Sequence, residues 1–320
     1  MSGSNALLRV RLTNMHFEAL GIASYEFRRV SASEPLPSFT AGAHIDVHLP
    51  GNLVRSYSLI NDPRERDRYV IAIQHEATGR GGSTYFHTVP RVGMEFDINS
   101  PVNDFPLYED ADDSVFICGG IGITPVLSMI ARLETLAKRW HLYYAARSPE
   151  NAPFLGQLSE WADSGQVRMF IGSGSKDRMS IKEAIGAGPT NAHFYCCGPR
   201  AMLDDFIDQC SGLPQDRVHF ERFGAALAPA LSGGFELVLA KSGKTVRVAP
   251  GQTMLDVLLE QNVPIQYSCS AGVCGTCKTA VLEGIPDHRD DYLTEREKQI
   301  NNVIMVCCSG AKTDRLVLDI

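Results

Sequence analysis

Between residues 269 and 277 three cysteines occur as Cys269-Ser-Ala-Gly-Val-Cys274-Gly-Thr-Cys277, and a pair, Cys307 and Cys308, follows thirty residues later. No other feature restricts the fold as tightly. Three thiolates from one short segment can converge only if the loop closes on itself. The spacing C-x4-C-x2-C with a distant fourth cysteine is that of plant-type [2Fe–2S] ligation. Gly272 and Gly275 lie inside the loop, where backbone N–H groups must approach the sulfides without Cβ atoms in the way. Zinc is the main rival, but structural zinc usually takes C-x2-C pairs at both ends of its ligand set. A disulfide framework does not suit a long chain with no secretory pattern. The fourth ligand is Cys307 or Cys308. On a strand the two would point to opposite faces, so only one can reach the iron. Such a centre carries one electron at a time, which points to electron transfer.

The bulk numbers set outer bounds. A chain of 320 residues can hold two or three independent cores. Its composition, 44% hydrophobic and 21% charged, is that of a globular protein. A net charge of −7 argues against a nucleic-acid partner. No stretch is apolar enough to span a bilayer, and MSGSNALLRV lacks a signal-peptide pattern. Nine cysteines without a leader fit a reducing compartment, so the expected location is the cytoplasm.

Periodicity divides the chain. Residues 1–107 carry short alternating segments, among them Leu8–Leu12, Ile45–Leu49 and Tyr69–Ile73, separated by Gly, Pro and Asn-Asp turns. These predict an antiparallel β-barrel. Residues 108–224 alternate strand and helix: 114–119, 125–137, 140–146, 154–161, 166–171 and 192–197 with a helix after it. That pattern predicts a parallel α/β sheet. Residues 225–234 read as a linker. Residues 235–320 predict a hairpin turned at Ser242-Gly243, a helix, the cysteine loop and late strands, with Thr294-Glu-Arg-Glu297 as a capping box. This is the outline of a β-grasp domain.

Two regions have the chemistry of nucleotide binding. On one strand Arg55 and Tyr57 project together, with Ser56 and Ser58 opposite. Arg55 can fork onto a phosphate, Tyr57 can lie against a planar ring, and Ser58 can hydrogen-bond a ring nitrogen. Downstream, Gly79-Arg-Gly81-Gly82-Ser83 leads into a helix, a natural phosphate cradle. Together they point to a flavin. In the second region Gly119-Gly120-Ile-Gly122-Ile-Thr124-Pro125 joins a buried strand to a helix. Proline replaces the third glycine of the dinucleotide fingerprint, so by itself this could be a generic β–α turn. A second turn, Cys197-Gly198-Pro199, would lie at the same carboxyl edge, where open α/β sheets bind ligands.

The order barrel, GGIGITP, CGP and C-x4-C-x2-C resembles the family of phthalate dioxygenase and vanillate demethylase reductases over essentially the whole chain. The resemblance implies an antiparallel flavin-binding β-barrel, a ferredoxin-reductase-like parallel-sheet domain and a C-terminal β-grasp ferredoxin domain. It implies an NADH-dependent enzyme holding FMN and a [2Fe–2S] cluster, which feeds a Rieske-type oxygenase as a monomer. Arg55, Ser56, Tyr57 and Ser58 match the flavin motif, and Gly81, Gly82 and Ser83 the FMN phosphate loop. Gly120, Gly122, Thr124, Pro125, Cys197, Gly198 and Pro199 match the nicotinamide side, and Arg147 and Ser148 stand where relatives read the adenosine ribose. The family's last cluster ligand follows a short apolar strand, here 303–306, which selects Cys307 beside Cys269, Cys274 and Cys277. Phe223 matches the aromatic that covers the flavin. Ser58, Thr124, Cys197 and Phe223 are then the residues nearest the chemistry.

A nicotinamide gives up two electrons as a hydride, whereas the cluster accepts one, and a flavin can divide the pair. The expected order is NADH, flavin, cluster, oxygenase. Two other readings compete: a reductase feeding a cytochrome P450 or another monooxygenase, and an electron carrier that does not oxidise NADH. Other candidate sites are weaker. His44 and His48 share a strand face without a third metal ligand, Cys118, Cys196 and Cys210 read as buried thiols, and Gly172–Lys176 lacks the Walker spacing. The mixed charges of Asp287–Lys298 read as a solvated face, or else as part of the oxygenase docking surface.

Overall fold

The computed structural model describes residues 7–31, 34–51, 53–77, 79, 81–172, 174, 178–224, 228–267 and 269–320. Arg80, Ser173, Ser175, Lys176 and residues 225–227, singled out in the sequence, lie outside these. The chain forms two compact units, Met1–Arg222 and Phe223–Ile320.

In the first unit, β1 (Leu8–Ala19), β2 (Ile22–Arg29), β3 (His44–Leu49), β4 (Leu53–Ser58), β5 (Tyr69–Gln74) and β6 (Glu95–Ile98) form one antiparallel sheet, ordered β4-β3-β6-β1-β2-β5. A bridge between Leu59 and Ile71, with Ile60 N–H donating to Val70 O, joins its two edges, so the sheet closes on itself as a barrel. Alternation sets which side chains fill it: Val10 and Leu12 are wholly buried while Arg9 and Arg11 reach out to Glu95 and Asp97. Helix α1 (Gly82–Thr88) plugs the barrel with Phe86, which stacks on Phe96 at 5.8 Å.

The same unit continues as β7 (Asp113–Gly119), α2 (Thr124–Thr135), β8 (Arg139–Ala146), α3 (Leu155–Asp163), β9 (Val167–Ile171), α4 (Ile181–Gly186), β10 (His193–Cys197), α5 (Arg200–Gln209) and β11 (Val218–Glu221). The five strands are all parallel, in the order β11-β10-β7-β8-β9. Every residue of the central β7 is buried, as expected of a strand covered on both faces. The sequence did not reveal β11: it has four residues, and His219 and Glu221 break its apolar pattern. Phe154, expected inside a helix, instead precedes α3 with φ of 60°. Barrel and sheet join where Gly42 N–H donates to Ser128 Oγ at 3.0 Å and Tyr108 N–H to the Tyr195 hydroxyl at 2.9 Å.

In the second unit, β12 (Phe235–Leu239), β13 (Lys244–Val248), α6 (Met254–Glu260), β14 (Lys278–Glu283), β15 (Pro286–Asp287), α7 (Glu295–Ile300), β16 (Val303–Met305), β17 (Gly310–Ala311) and β18 (Arg315–Leu318) follow. The main sheet runs β13-β12-β18-β14-β16, with β12 and β18 parallel. A hairpin, a crossing helix and a parallel return strand make this a β-grasp. Thr294 and Glu297 form the expected capping box, and Thr253 with Asp256 forms another at the start of α6. In the stretch read as a linker, Ala230 N–H donates to Cys308 O and Gly234 N–H to Val248 O. No helix among the described residues is long and apolar enough to cross a membrane.

The seam between barrel and sheet depends on a missing side chain. Gly42 has φ of 91°, and a Cβ there would lie 2.0 Å from Phe105 O and 2.7 Å from Met129 Cε. Gly42→Ala should therefore cost about 2–4 kcal/mol, measured by denaturant unfolding. An unchanged midpoint would show that the seam yields.

Candidate functional site

The flavin-like motif occupies β4, whose register against β3 pairs Val47 with Arg55, Asp46 with Ser56, Ile45 with Tyr57 and His44 with Ser58. Arg55 and Tyr57 share the face toward α1, as alternation requires. Tyr57 meets Phe86 edge to face at 5.4 Å, and burial pushes its hydroxyl pKa up. A Cβ on Gly82 would lie 2.6 Å from Arg55 Cγ, so glycine is what lets the helix start pack on the arginine stem. Gly81 has φ of 84°, a conformation that favours glycine. Ser83 Oγ accepts from Glu76 N–H at 3.0 Å and fixes the preceding loop. A guanidinium, a ring and a helix start thus lie side by side. That set fits a phosphate ester that carries an aromatic ring, such as a flavin nucleotide. Ser56 differs from its neighbours: its hydroxyl donates to the buried Asp46 carboxylate at 2.5 Å, away from the Arg55–Tyr57 face. Ser58 is buried on that same opposite face.

At the carboxyl edge of the parallel sheet the two glycine turns touch. A Cβ on Gly122 would stand 2.3 Å from Cys197 O and 2.8 Å from Gly198 N, and one on Gly119 would stand 2.7 Å from Pro199 Cδ. No other residue allows that approach, which shows that Gly120–Pro125 and Cys197–Pro199 form one wall. Gly120 takes φ of 54° to turn the chain, and Pro125 sits in the first turn of α2. Thr124 Oγ1 donates to Ile121 O at 2.9 Å, which leaves its lone pairs as acceptors. Arg147 and Ser148 follow β8 at this edge. Arg147 is exposed, while Ser148 Oγ lies 3.0 Å from Asn151 Oδ1 and also hydrogen-bonds Glu150, whose pKa it lowers.

One residue at this edge carried no mark in the sequence. Glu221 ends β11 directly beside Cys197, and its Oε2 is buried with no hydrogen-bond partner among the described residues. Burial, and then the charge of Asp104, push its pKa up to about 8. The neighbouring Cys197 thiol is pushed well up, by burial first and by Glu221 second. With β11 itself hidden in the sequence, nothing there marked Glu221. Phe223 opens the second unit and is 49% exposed.

The cysteine loop lies between α6 and β14. Ser270, Gly272 and Gly275 have positive φ of 49°, 76° and 82°, which coil the segment tightly. A Cβ on Gly275 would fall 2.2 Å from the Tyr292 ring, and one on Gly272 would fall 2.6 Å from Cys308 Sγ. The thiols form pairs. Cys269 bonds Cys274, which raises the pKa of the first and lowers that of the second. Cys277 bonds Cys307, and this contact, then burial, pushes Cys277 far above the ordinary thiol range. Gly272 N–H donates to Cys307, and Ala271 N–H to Cys269 Sγ at 3.3 Å. Cys308 also touches Cys307, but its Sγ turns to Met305 O at 3.9 Å and Ser309 Oγ at 3.8 Å. Two thiol pairs with inward amides fit a [2Fe–2S] centre.

Comparison with known proteins agrees with this geometry. Residues 237–312 match the 2Fe-2S iron-sulfur cluster binding domain, and residues 116–207 match the oxidoreductase NAD-binding domain. The chain is 47% identical to the phenoxybenzoate dioxygenase subunit beta of Ectopseudomonas oleovorans, covering 91% of each. It is 38% identical to a vanillate O-demethylase oxidoreductase of a Pseudomonas species, covering 98% of this chain and 100% of the other. The solved structure of phthalate dioxygenase reductase, described as modular for electron transfer from pyridine nucleotides to [2Fe-2S], superposes with a TM-score of 0.88 and 36% identity. The match covers 98% of both chains.

The buried Glu221 carboxyl has a pH signature. Its pKa rises from 4.5 unfolded to about 8 folded, so between these values the folded state holds a proton that the unfolded state has lost. Stability should fall as pH rises through that window. Glu221→Gln should flatten the fall of Tm between about pH 5 and pH 8. An unchanged slope would mean that the carboxyl is ionised when folded.

Proposed function

The chain belongs to the phthalate dioxygenase reductase family, and from that membership we propose a route for electrons through its own residues. It is an NAD-binding iron–sulfur oxidoreductase, and the route starts at the wall formed by the Gly120–Pro125 and Cys197–Pro199 turns. NADH lies there, with Arg147 and Ser148 beside the adenosine ribose and Thr124 and Cys197 beside the nicotinamide. Arg55 and the Gly81–Ser83 loop would hold the FMN phosphate and Tyr57 its ring, whereas Ser58, expected at the ring, is buried on the other face of β4. When bound, the flavin supplies the exchange between one hydride and two single electrons. Ser56 supports β4 through Asp46. Cys269, Cys274, Cys277 and Cys307 would hold the cluster, which takes up one electron at a time.

The observation that carries this reading is the combination, in one chain, of a glycine-walled nucleotide edge with two facing thiol pairs. The acceptor is a Rieske-type oxygenase, met transiently by a monomer in the cytoplasm. The names of the relatives, a phenoxybenzoate dioxygenase subunit and a vanillate O-demethylase oxidoreductase, support that partner class. Plant-type clusters near about −400 mV are low enough to reduce a Rieske centre. The chain's own part is positional: it aligns donor and acceptor rings, excludes water and dioxygen, and keeps the thiolates desolvated.

Two substitutions separate the steps. Cys277→Ser should abolish NADH–cytochrome c reduction while leaving NADH–ferricyanide activity within about twofold, since ferricyanide draws on the flavin. Loss of both in a folded protein would contradict the order. Cys307→Ser should remove iron and acid-labile sulfide, whereas Cys308→Ser should retain both. The reverse result would assign the fourth ligand to Cys308.

A further inference from the structure

Behind the cysteine loop lies a buried pair, His288 and Asp290, that the electron route does not use. Asp290 has no side-chain exposure, and His288 retains 8%. Asp290 stands against the loop itself: a Cβ on Gly272 would lie 3.2 Å from Asp290 Cα, and Asp291 N–H donates to Gly272 O at 3.0 Å. Gly272 is also the residue whose amide donates to Cys307. The Asp290 carboxylate accepts from Leu293 N–H at 2.8 Å through Oδ2 and from Ser309 Oγ at 3.4 Å through Oδ1. It therefore anchors the 290–293 segment that lays Tyr292 on Gly275.

A buried carboxylate is costly unless a counter-charge stands near it. Arg289 does not serve, because its guanidinium turns to Asp287 at 2.8 and 3.0 Å. Among the described residues the only basic group in ion-pair range of Asp290 is His288, whose Nδ1 lies 3.7 Å from Oδ1. Both ring nitrogens of His288 are buried with no hydrogen-bond partner among the described residues. No other basic group among the described residues is placed to offset a charge on Asp290.

We propose that His288 is a positioning residue for electron acceptance: by neutralising Asp290 behind the Gly272 turn, it keeps a bare negative charge away from the cluster. This rests on the reading that Cys269, Cys274, Cys277 and Cys307 hold a [2Fe–2S] centre. Four thiolates leave such a centre negatively charged, and reduction adds one more negative charge. Its potential follows net charge and nearby hydrogen bonds. An uncompensated Asp290 would therefore make reduction harder.

The test is spectroelectrochemical titration of the full-length holoprotein, read by the visible and EPR signals of the cluster. His288→Gln should lower the equilibrium constant for one-electron reduction about tenfold, which is about 59 mV. The double variant H288Q/D290N should return to within about threefold of the parent, because charge and counter-charge are then both gone. An H288Q value within about threefold of the parent would overturn the proposal, as would a double variant as low as the single one. If H288Q assembles no cluster, iron and sulfide content decides: assembly restored in H288Q/D290N supports charge compensation, and assembly absent from both overturns it. A parent protein without iron and sulfide would instead contradict the cluster reading itself.

Discussion

Two missing Cβ atoms govern the second unit. Gly272 and Gly275 are pressed against Cys308 and Tyr292 at distances no side chain tolerates, and only so can one short loop turn three thiols inward. The amides of Ala271 and Gly272 then face sulfur. Everything around the loop is arranged to keep it coiled: α6 with its capping box before it, β14 after it, and the 290–293 segment across it. Cys277 and Cys307 are buried and Cys269 and Cys274 partly so, in two facing pairs suited to sulfurs that metal is to share.

The nucleotide edge uses the same economy of atoms. Gly122 lets the first β–α turn rest on the carbonyl of Cys197, so two loops far apart in sequence become one surface. Backbone contact of this kind leaves little freedom, and a ligand laid there meets a fixed wall. Glu221 adds a group that is neutral over most of the physiological range, because burial and Asp104 disfavour its ionisation. A carboxylate there would set a bare charge beside Cys197, whose own thiol is held protonated.

How much of this was legible in the sequence depends on how local each determinant is. Strand alternation, the glycine turns, the Thr294–Glu297 capping box and the cysteine spacing are short-range patterns, and the three sheets follow from them. Arg55 and Tyr57 fall on one face because a strand has period two. The exceptions are set by residues distant in the chain. Ser56 turns to Asp46, a partner that only the β3–β4 register reveals. The short β11 exists because β10 gives it an edge, and Glu221 matters only through that pairing. His288 and Asp290 looked like members of a mixed-charge surface run, yet tertiary packing buries both. The choice of Cys307 over Cys308 needed the resemblance, and the Cys277–Cys307 contact favours the same choice.

The central claim is that one chain holds a two-electron flavin and a one-electron cluster in series. Anaerobic titration of the purified holoprotein with NADH, followed by absorbance, tests it most directly. The holoprotein should take up about three electrons per chain, or about one and a half NADH, with the flavin and cluster bands both bleached. An end point at one NADH with the cluster still oxidised, or no bleaching at all, would contradict it.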